Sequence, residues 1–437
     1  MTSAPSPWMI VPFGLLLGAA ALGQALRPAG WARHQGKVAF GLGAVTVGYY
    51  LLGLGAGQRL AVLGEEYVSF IALIGSLYVV AGGIHLRVEG RGGPGVNTVF
   101  LLIGAVAANV LGTTGASVLL IRPWLRLNRA RLAAHHVAFF IFLVANVGGC
   151  LTPVGDPPLL LGYLQGVPFW WVTRRCWPMW AVAVGLLLGI FYVLDRRHTG
   201  AKNRLGAGAG AGLRLRGWAG GSWRAEGLGN VVWLAVILGA VFLGRPLFAR
   251  EGLMAAAAAA SYFTTRRSVH AANQFSFHPL AEVAVLFAGI FATMAPAVDW
   301  LGRHAAQVGR LSPARCYWSS GMASSLLDNA PTYASFLSAT EGRFGPGPGT
   351  DAAGPEAEGA ALLVGDREAS MCLLAISLGA VFFGAMTYIG NGPNLMIKAI
   401  ADEQGAPSPG FGGFVGRFSV PYLLPVLVVV WVLFLRG

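Results

Sequence analysis

Apolar residues gather along the chain in long runs, at Trp8–Leu26, Val38–Leu54, Tyr67–Leu86, Val137–Val147, Met179–Leu194, Val231–Leu243, Val283–Val298, Met371–Phe383 and Val420–Leu435. A bilayer core about 30 Å thick takes about 20 apolar residues per helix, so the longer runs predict membrane-crossing helices. Val137–Val147, Val231–Leu243 and Met371–Phe383 are too short to cross alone. The shorter runs lead into tips rich in Gly, Pro, Asn and Thr, the pattern of broken or re-entrant helices that line a cavity instead of facing lipid.

Composition agrees with a chain whose main solvent is lipid. Of 437 residues, 55% are hydrophobic and 11% charged, with 63 Gly and 24 Pro, outside the range of soluble domains. The formal charge of +13 would fit nucleic-acid binding if it formed one patch. Instead the basic residues sit between apolar runs. Arg27, Arg33 and Lys37 follow the first, Arg87 and Arg91 the third, and Arg196, Arg197, Lys202, Arg204, Arg214, Arg216 and Arg224 fill a central linker. The positive-inside rule puts all three on the cytoplasmic side of an inner membrane, and the acid-rich loop Glu341–Glu368 outside. No basic segment precedes Trp8, and Arg27-Pro28 follows the first run, so that run reads as a retained helix. Cys150, Cys176, Cys316 and Cys372 lie in or beside apolar segments without CxxC spacing, as packing residues do.

The chain repeats itself. Thr152-Pro-Val-Gly-Asp156-Pro-Pro158 is echoed 235 positions later by Thr387-Tyr-Ile-Gly-Asn391-Gly-Pro393. Ala107-Ala-Asn109-Val-Leu-Gly-Thr113-Thr114-Gly115 is echoed 216 positions later by Ala323-Ser-Ser-Leu-Leu-Asp328-Asn329-Ala-Pro331. A third, weaker echo pairs the segment around Gly75 with that around Gly289, and the order is kept throughout. Two halves follow, 1–194 with the N-terminal helices and 229–437, joined by a basic Gly/Ala-rich linker at 195–228. Duplicated, interrupted apolar segments point to a transport site near the membrane midplane, at the interface of the repeats.

The tips carry the chemistry. Gly permits positive φ and Pro withholds a donor, which frees backbone groups for a ligand. Asn109, Thr113, Thr114, Asn146, Thr152, Asn329, Thr332, Thr387, Asn391 and Asn394 offer hard oxygen donors for a cation. Helix N-termini exposed at the breaks suit an anion. Asp156 and Asp328, each in one of the paired tips, are carboxylates at membrane depth, which are costly and mark function. A carboxylate withdrawn from water holds its proton more tightly and can exchange it for a cation. The competing readings make Asp156 the cap of a helix that starts at Pro157, and Asp328 a brace within its own hairpin. Glu282, after His278-Pro279, reads as a gate or coupling acid or as a helix-start acid, His85 as a group titrating near neutral pH or an interfacial residue, and Lys398 as a carboxylate's partner or, more in keeping with its place, as snorkelling. His135 and His136, beside Arg129 and Arg131, read as a cytoplasmic-surface boundary. Phe169-Trp170-Trp171 reads as an aromatic belt. The sequence holds no GxxxxGK[ST], HExxH or GxSxG motif, so neither an ATP-driven pump nor those hydrolase classes is supported.

Taken together, the stretch Phe139–Pro158, Leu327-Asp-Asn-Ala-Pro-Thr332 and Phe383–Asn394 resemble the ion transporter superfamily, nearest its sodium/proton antiporter (NhaD-like) or citrate-transporter-like branch. The resemblance implies an all-α polytopic membrane protein of two inverted repeats, each with a re-entrant hairpin and a broken transmembrane helix, and a homodimer. Substrate and cation would bind between the tips Asn109–Gly115 and Asn146–Pro158 of one half and Asp328–Thr332 and Thr387–Asn394 of the other. The Ser-Asn-Thr triplet of the superfamily's carboxylate symporters is intact in neither hairpin.

The expectation is a secondary transporter without a resident cofactor and not an enzyme. Its first form is a Na+(Li+)/H+ antiporter in which Asp156 and Asp328 hold the transported cation. Its second is a cation-coupled symporter of a small anion such as citrate or a dicarboxylate. A non-transporting receptor or scaffold is the alternative of a different class. The bilayer and the transported ions are the expected partners, and nucleic acid is not.

Overall fold

The computed structural model describes residues 5–26, 28–88, 92–205, 223–243, 248–304, 312–344 and 363–436, nearly all of them helical. The first half holds α1 (Val11–Leu26), α2 (Pro28–Gly48), α3 (Gly57–Gly82), α4 (Pro94–Asn128), α5 (Ala134–Leu143), α6 (Pro157–Leu164) and α7 (Phe169–Leu205). The second holds α8 (Asn230–Ala240), α9 (Ala249–Thr264), α10 (Arg267–Ala272), α11 (His278–His304), α12 (Pro313–Leu326), α13 (Asn329–Phe344), α14 (Arg367–Phe383), α15 (Gly392–Glu403) and α16 (Phe411–Phe434). Two short strands, β1 (His85–Val88) and β2 (Trp223–Glu226), pair antiparallel and tie the end of α3 to the chain entering α8.

Seven described spans are long and apolar enough to cross a bilayer: Gly57–Gly82, Pro94–Asn128, Ala134–Leu151, Phe169–Thr199, Leu280–Trp300, Arg367–Met386 and Phe411–Phe434. The chain is thus an all-α polytopic membrane protein. Burial sorts these spans. Ala134–Leu151 and Arg367–Met386 are 83% and 89% buried, whereas Gly57–Gly82 and Phe411–Phe434 are 28% buried. The interrupted helices therefore form the centre, and the uninterrupted ones carry apolar side chains such as Val68 and Leu433 to the outside, as lipid solvation requires. Pro94–Asn128, absent from the apolar runs because Asn, Gly and Thr punctuate it, is central too.

Helices α3 and α11 pack antiparallel. Arg59 Nε lies 3.0 Å from Asp299 Oδ1, Tyr67 donates to the Ala284 carbonyl at 2.9 Å, and Tyr78 donates to that of Ser276 at 2.9 Å, so rising numbers on one meet falling numbers on the other. Tyr50 also donates to Asp299 Oδ2 at 2.7 Å.

Two expectations from the sequence change here. The segment read as linker from Asp195 remains helical to Leu205, and its last part forms β2, while 206–222 lies outside the described residues. His135 and His136 are not at a surface boundary: their side chains lie 11% and 0% exposed, each 3.3 Å from Asp195 Oδ1. Arg131 pairs with the same oxygen, and Asn97 Nδ2 donates to Oδ2 at 2.9 Å. Asp195, wholly buried, gathers these groups because a carboxylate taken out of water needs a donor on each lone pair. The result clamps both ends of α4, the start of α5 and α7 together.

Replacing Asp195 with Leu strands the Arg131 guanidinium, and the thermal unfolding midpoint of the detergent-solubilised protein should fall by the equivalent of about 3–5 kcal/mol. Asp195→Leu/Arg131→Leu should cost less than the sum of the single changes. Additive losses would show that the pair is not coupled.

Candidate functional site

Helix α4 is two arms. Gly112 takes φ 72° and ψ 156°, a conformation closed to side-chain-bearing residues, and the chain turns back there. The reversal is visible at the base, where Asn97 Nδ2 donates to Asn128 Oδ1 at 2.8 Å. A straight helix would hold those residues about 45 Å apart. The second hairpin is α12 and α13 with the turn at Leu327-Asp328, where Leu327 is extended (φ −115°, ψ 161°). Both arms rest on α14, through Ser324 Oγ donating to the Ala380 carbonyl at 2.6 Å and through Tyr333 against Ser377.

Next to each hairpin runs a broken helix. After α5 the chain passes Asn146, a 3-10 turn at Val147–Leu151, extended Thr152, a tight turn closed by the Gly155 amide on the Thr152 carbonyl at 2.9 Å, and extended Asp156 before α6 begins. After α14 it passes a 3-10 turn at Gly384–Met386, extended Thr387, a bent segment and extended Asn391 before α15 begins. The local bonding matches. Thr152 Oγ1 donates to the Asn109 carbonyl and Thr387 Oγ1 to that of Ser325, both at 2.6 Å, and each hydroxyl accepts from the glycine amide three residues on, Gly155 at 3.0 Å and Gly390 at 3.2 Å. A Cβ on Gly155 would stand 2.1 Å from the Gly149 carbonyl oxygen, so only glycine lets the two strands of the break close on each other.

All four elements meet at Asp156. Thr113, the first residue of the second arm of α4, donates to Oδ1 at 2.7 Å; Asn329, the first of α13, donates to Oδ2 at 2.6 Å; Asn391, preceding α15, donates to Oδ1 at 3.2 Å. Asp156 itself precedes α6, yet its side chain does not cap that helix. The capping alternative therefore gives way to a bridge between halves. The three donors belong to residues at helix starts, where the N-terminal end of the helix dipole favours negative charge. Burying the ion costs several kcal/mol. Three hydrogen bonds to a charged group, at about 1.5–3 kcal/mol each, are of the size needed to offset that cost.

The twelve candidate residues fall into three sets. Asp156, Thr113, Asn329, Asn391, Asn146 and Asn394 form one buried network, closed by Asn146 Nδ2 donating to Asn394 Oδ1 at 2.7 Å and Asn391 Nδ2 to Asn146 Oδ1 at 3.1 Å. Asn109, Thr152, Thr387 and Thr332 brace backbone: Asn109 Nδ2 donates to the Gly148 carbonyl at 2.7 Å, and Thr332 Oγ1 to that of Asp328 at 2.9 Å. Asp328 and Thr114 line open space. Within the network Asn329 Oδ1 is buried without a hydrogen-bond partner, a hard oxygen left for a ligand.

That open space is a cavity of about 490 Å³ between α1, α2, α3 and α11 on one side and the second tip with α15 on the other. Asp328 and Asn391 stand in its wall with Glu282, Lys398 and Asp402. Asp328 accepts from the Ala330 amide at 3.2 Å, so the bracing reading holds for one oxygen. Of the two readings of Lys398 the structure has the carboxylate pair: it bonds Asp402 Oδ2 at 2.5 Å and lies 5.6 Å over the Tyr388 ring. Glu282 has His278 Nδ1 at 3.7 Å, and His85 Nδ1 lies 2.7 Å from Asn273 Oδ1. The lining residue Gln35 carried no signal in the sequence, whereas Asp402 could have been found from its i,i+4 spacing to Lys398.

Seven described apolar spans, two of them the leading parts of broken helices that meet at a buried polar centre, make a multi-pass membrane protein, and the family match below makes it a secondary transporter. The family described as "Putative citrate transport" matches residues 2–435, and the chain belongs to that family. No curated protein matches the chain.

Asp156→Asn replaces one of the two acceptor oxygens with an NH2 donor that faces other donors and strands at least one of the three, at about 1–3 kcal/mol. Asp328→Asn changes a group at the cavity wall and should stay within about 0.5 kcal/mol of the parent. Thermal unfolding of the two variants side by side checks this, and equal losses would remove the distinction drawn between the carboxylates.

Proposed function

We propose that the protein exchanges a cation for protons by alternating access, with Asp328 as the exchanging carboxylate and Asp156 as the fixed charge that joins the halves. The observation that carries this reading is the charge of the tips. The ionisable groups there are carboxylates, and the one basic residue among the described cavity-lining residues, Lys398, is already held by Asp402. A cation entering from the cavity meets Asp328 first, and the free Asn329 Oδ1 lies on the next residue. Cation and proton compete for one carboxylate, which couples their fluxes. The antiparallel packing of α3 and α11, whose segments echo each other in sequence, supports the inverted relation of the halves that alternating access uses.

A second reading is favoured by the family description and by the room in the cavity, both of which suit symport of citrate or a dicarboxylate. Converging helix N-termini would then hold the substrate's carboxylates.

The test is reconstitution into proteoliposomes with a pH-sensitive dye inside and pulses of Na+, Li+ or K+. Cation-evoked proton movement should occur and should fall to the protein-free level in Asp328→Asn. A silent wild type that takes up labelled citrate would overturn antiport in favour of symport.

A further inference from the structure

We infer that the cavity beside the second tip receives an amphipathic organic monocation, its apolar body against the aromatic wall and its charge toward Asp328. This names the cation class of the exchange proposed above and rests on that reading. A bare alkali ion needs a few oxygens at contact distance, whereas about 490 Å³ is the size of a pocket for a small organic molecule. The walls are mostly apolar. Trp31, Tyr78 and Phe287 contribute ring surface to them, and Trp31 is packed over Gly23 and only 8% exposed. Such rings attract an organic cation through their faces as well as by burial.

Charge selects the sign. Asp328, Glu282 and Asp402 face the cavity against one lysine, and Lys398 is bonded to Asp402. Asp328 has no basic partner among the described residues, and a polyanion would meet uncompensated negative charge. The pocket also keeps a polar side chain in reserve: Gln35 is 8% exposed and lines the cavity from α2, a hydrogen-bonding group for a polar substituent.

The experiment uses the full purified chain and two probes of one shape and opposite charge, labelled tetraphenylphosphonium and tetraphenylborate, in equilibrium binding. Tetraphenylphosphonium should bind saturably, more tightly than tetraphenylborate, and its affinity should drop by roughly tenfold or more in Asp328→Asn, the loss of one charge contact at a partly solvated site. Trp31→Ala removes ring surface from the wall and should weaken tetraphenylphosphonium binding more than tetraphenylborate binding. Equal binding of both probes, or tetraphenylphosphonium binding indifferent to both substitutions, would overturn the inference and leave an apolar crevice. Cation-evoked proton movement without tetraphenylphosphonium binding would overturn the organic-cation assignment alone, and loss of both activities in the wild type would overturn the exchange reading with it.

Discussion

A buried carboxylate has to be solvated by the protein itself, and Asp156 is solvated by parts of the chain that lie far apart in sequence. Thr113 comes from the first hairpin, Asn329 from the second, and Asn391 from the second broken helix, while Asp156 belongs to the first. Removing any one element leaves a charge without a donor or a donor without an acceptor. The crossing point is thus held by electrostatics that only the assembled halves can supply, and the helix N-termini around it add to the same field. Much of the surrounding polarity is spent on backbone: Asn109, Thr152 and Thr387 satisfy carbonyls and amides that the broken helices would otherwise leave bare.

The roles proposed for the two aspartates rest on their different surroundings. Asp156 is enclosed and committed to three donors, whereas Asp328 looks into a wide cavity with one oxygen held by its own hairpin. A group that must meet an ion from either side needs access, and a group that keeps two halves in register needs enclosure. The Asp195 cluster is a second instance of enclosure, at the base of the first hairpin instead of its tip, with Arg131 in the role that uncharged donors fill at Asp156.

Much of this was legible in the residues. Runs of apolar side chains fix membrane-crossing helices because lipid accepts nothing else, and interruptions by Gly, Pro and Asn mark breaks because those residues release backbone groups locally. The echo of Thr152–Pro158 in Thr387–Pro393 correctly paired two breaks whose hydrogen bonds match. What stayed hidden was the partner of each polar group. His135 and His136 looked like surface residues because their neighbours are arginines, and only the fold brings Asp195 of α7 onto them. The helical pattern through Asp195 was masked by the basic, polar residues that follow it.

Sequence by itself therefore determined that this chain lives in a membrane, where its helices break and which residue types gather at the breaks, since those follow from local hydrophobicity and backbone chemistry. The tertiary structure alone decided that Asp156 bridges instead of capping and that Asp328 faces open space. Such facts depend on which groups meet across 173 or 235 positions of chain, and no local rule specifies the partner of a buried charge.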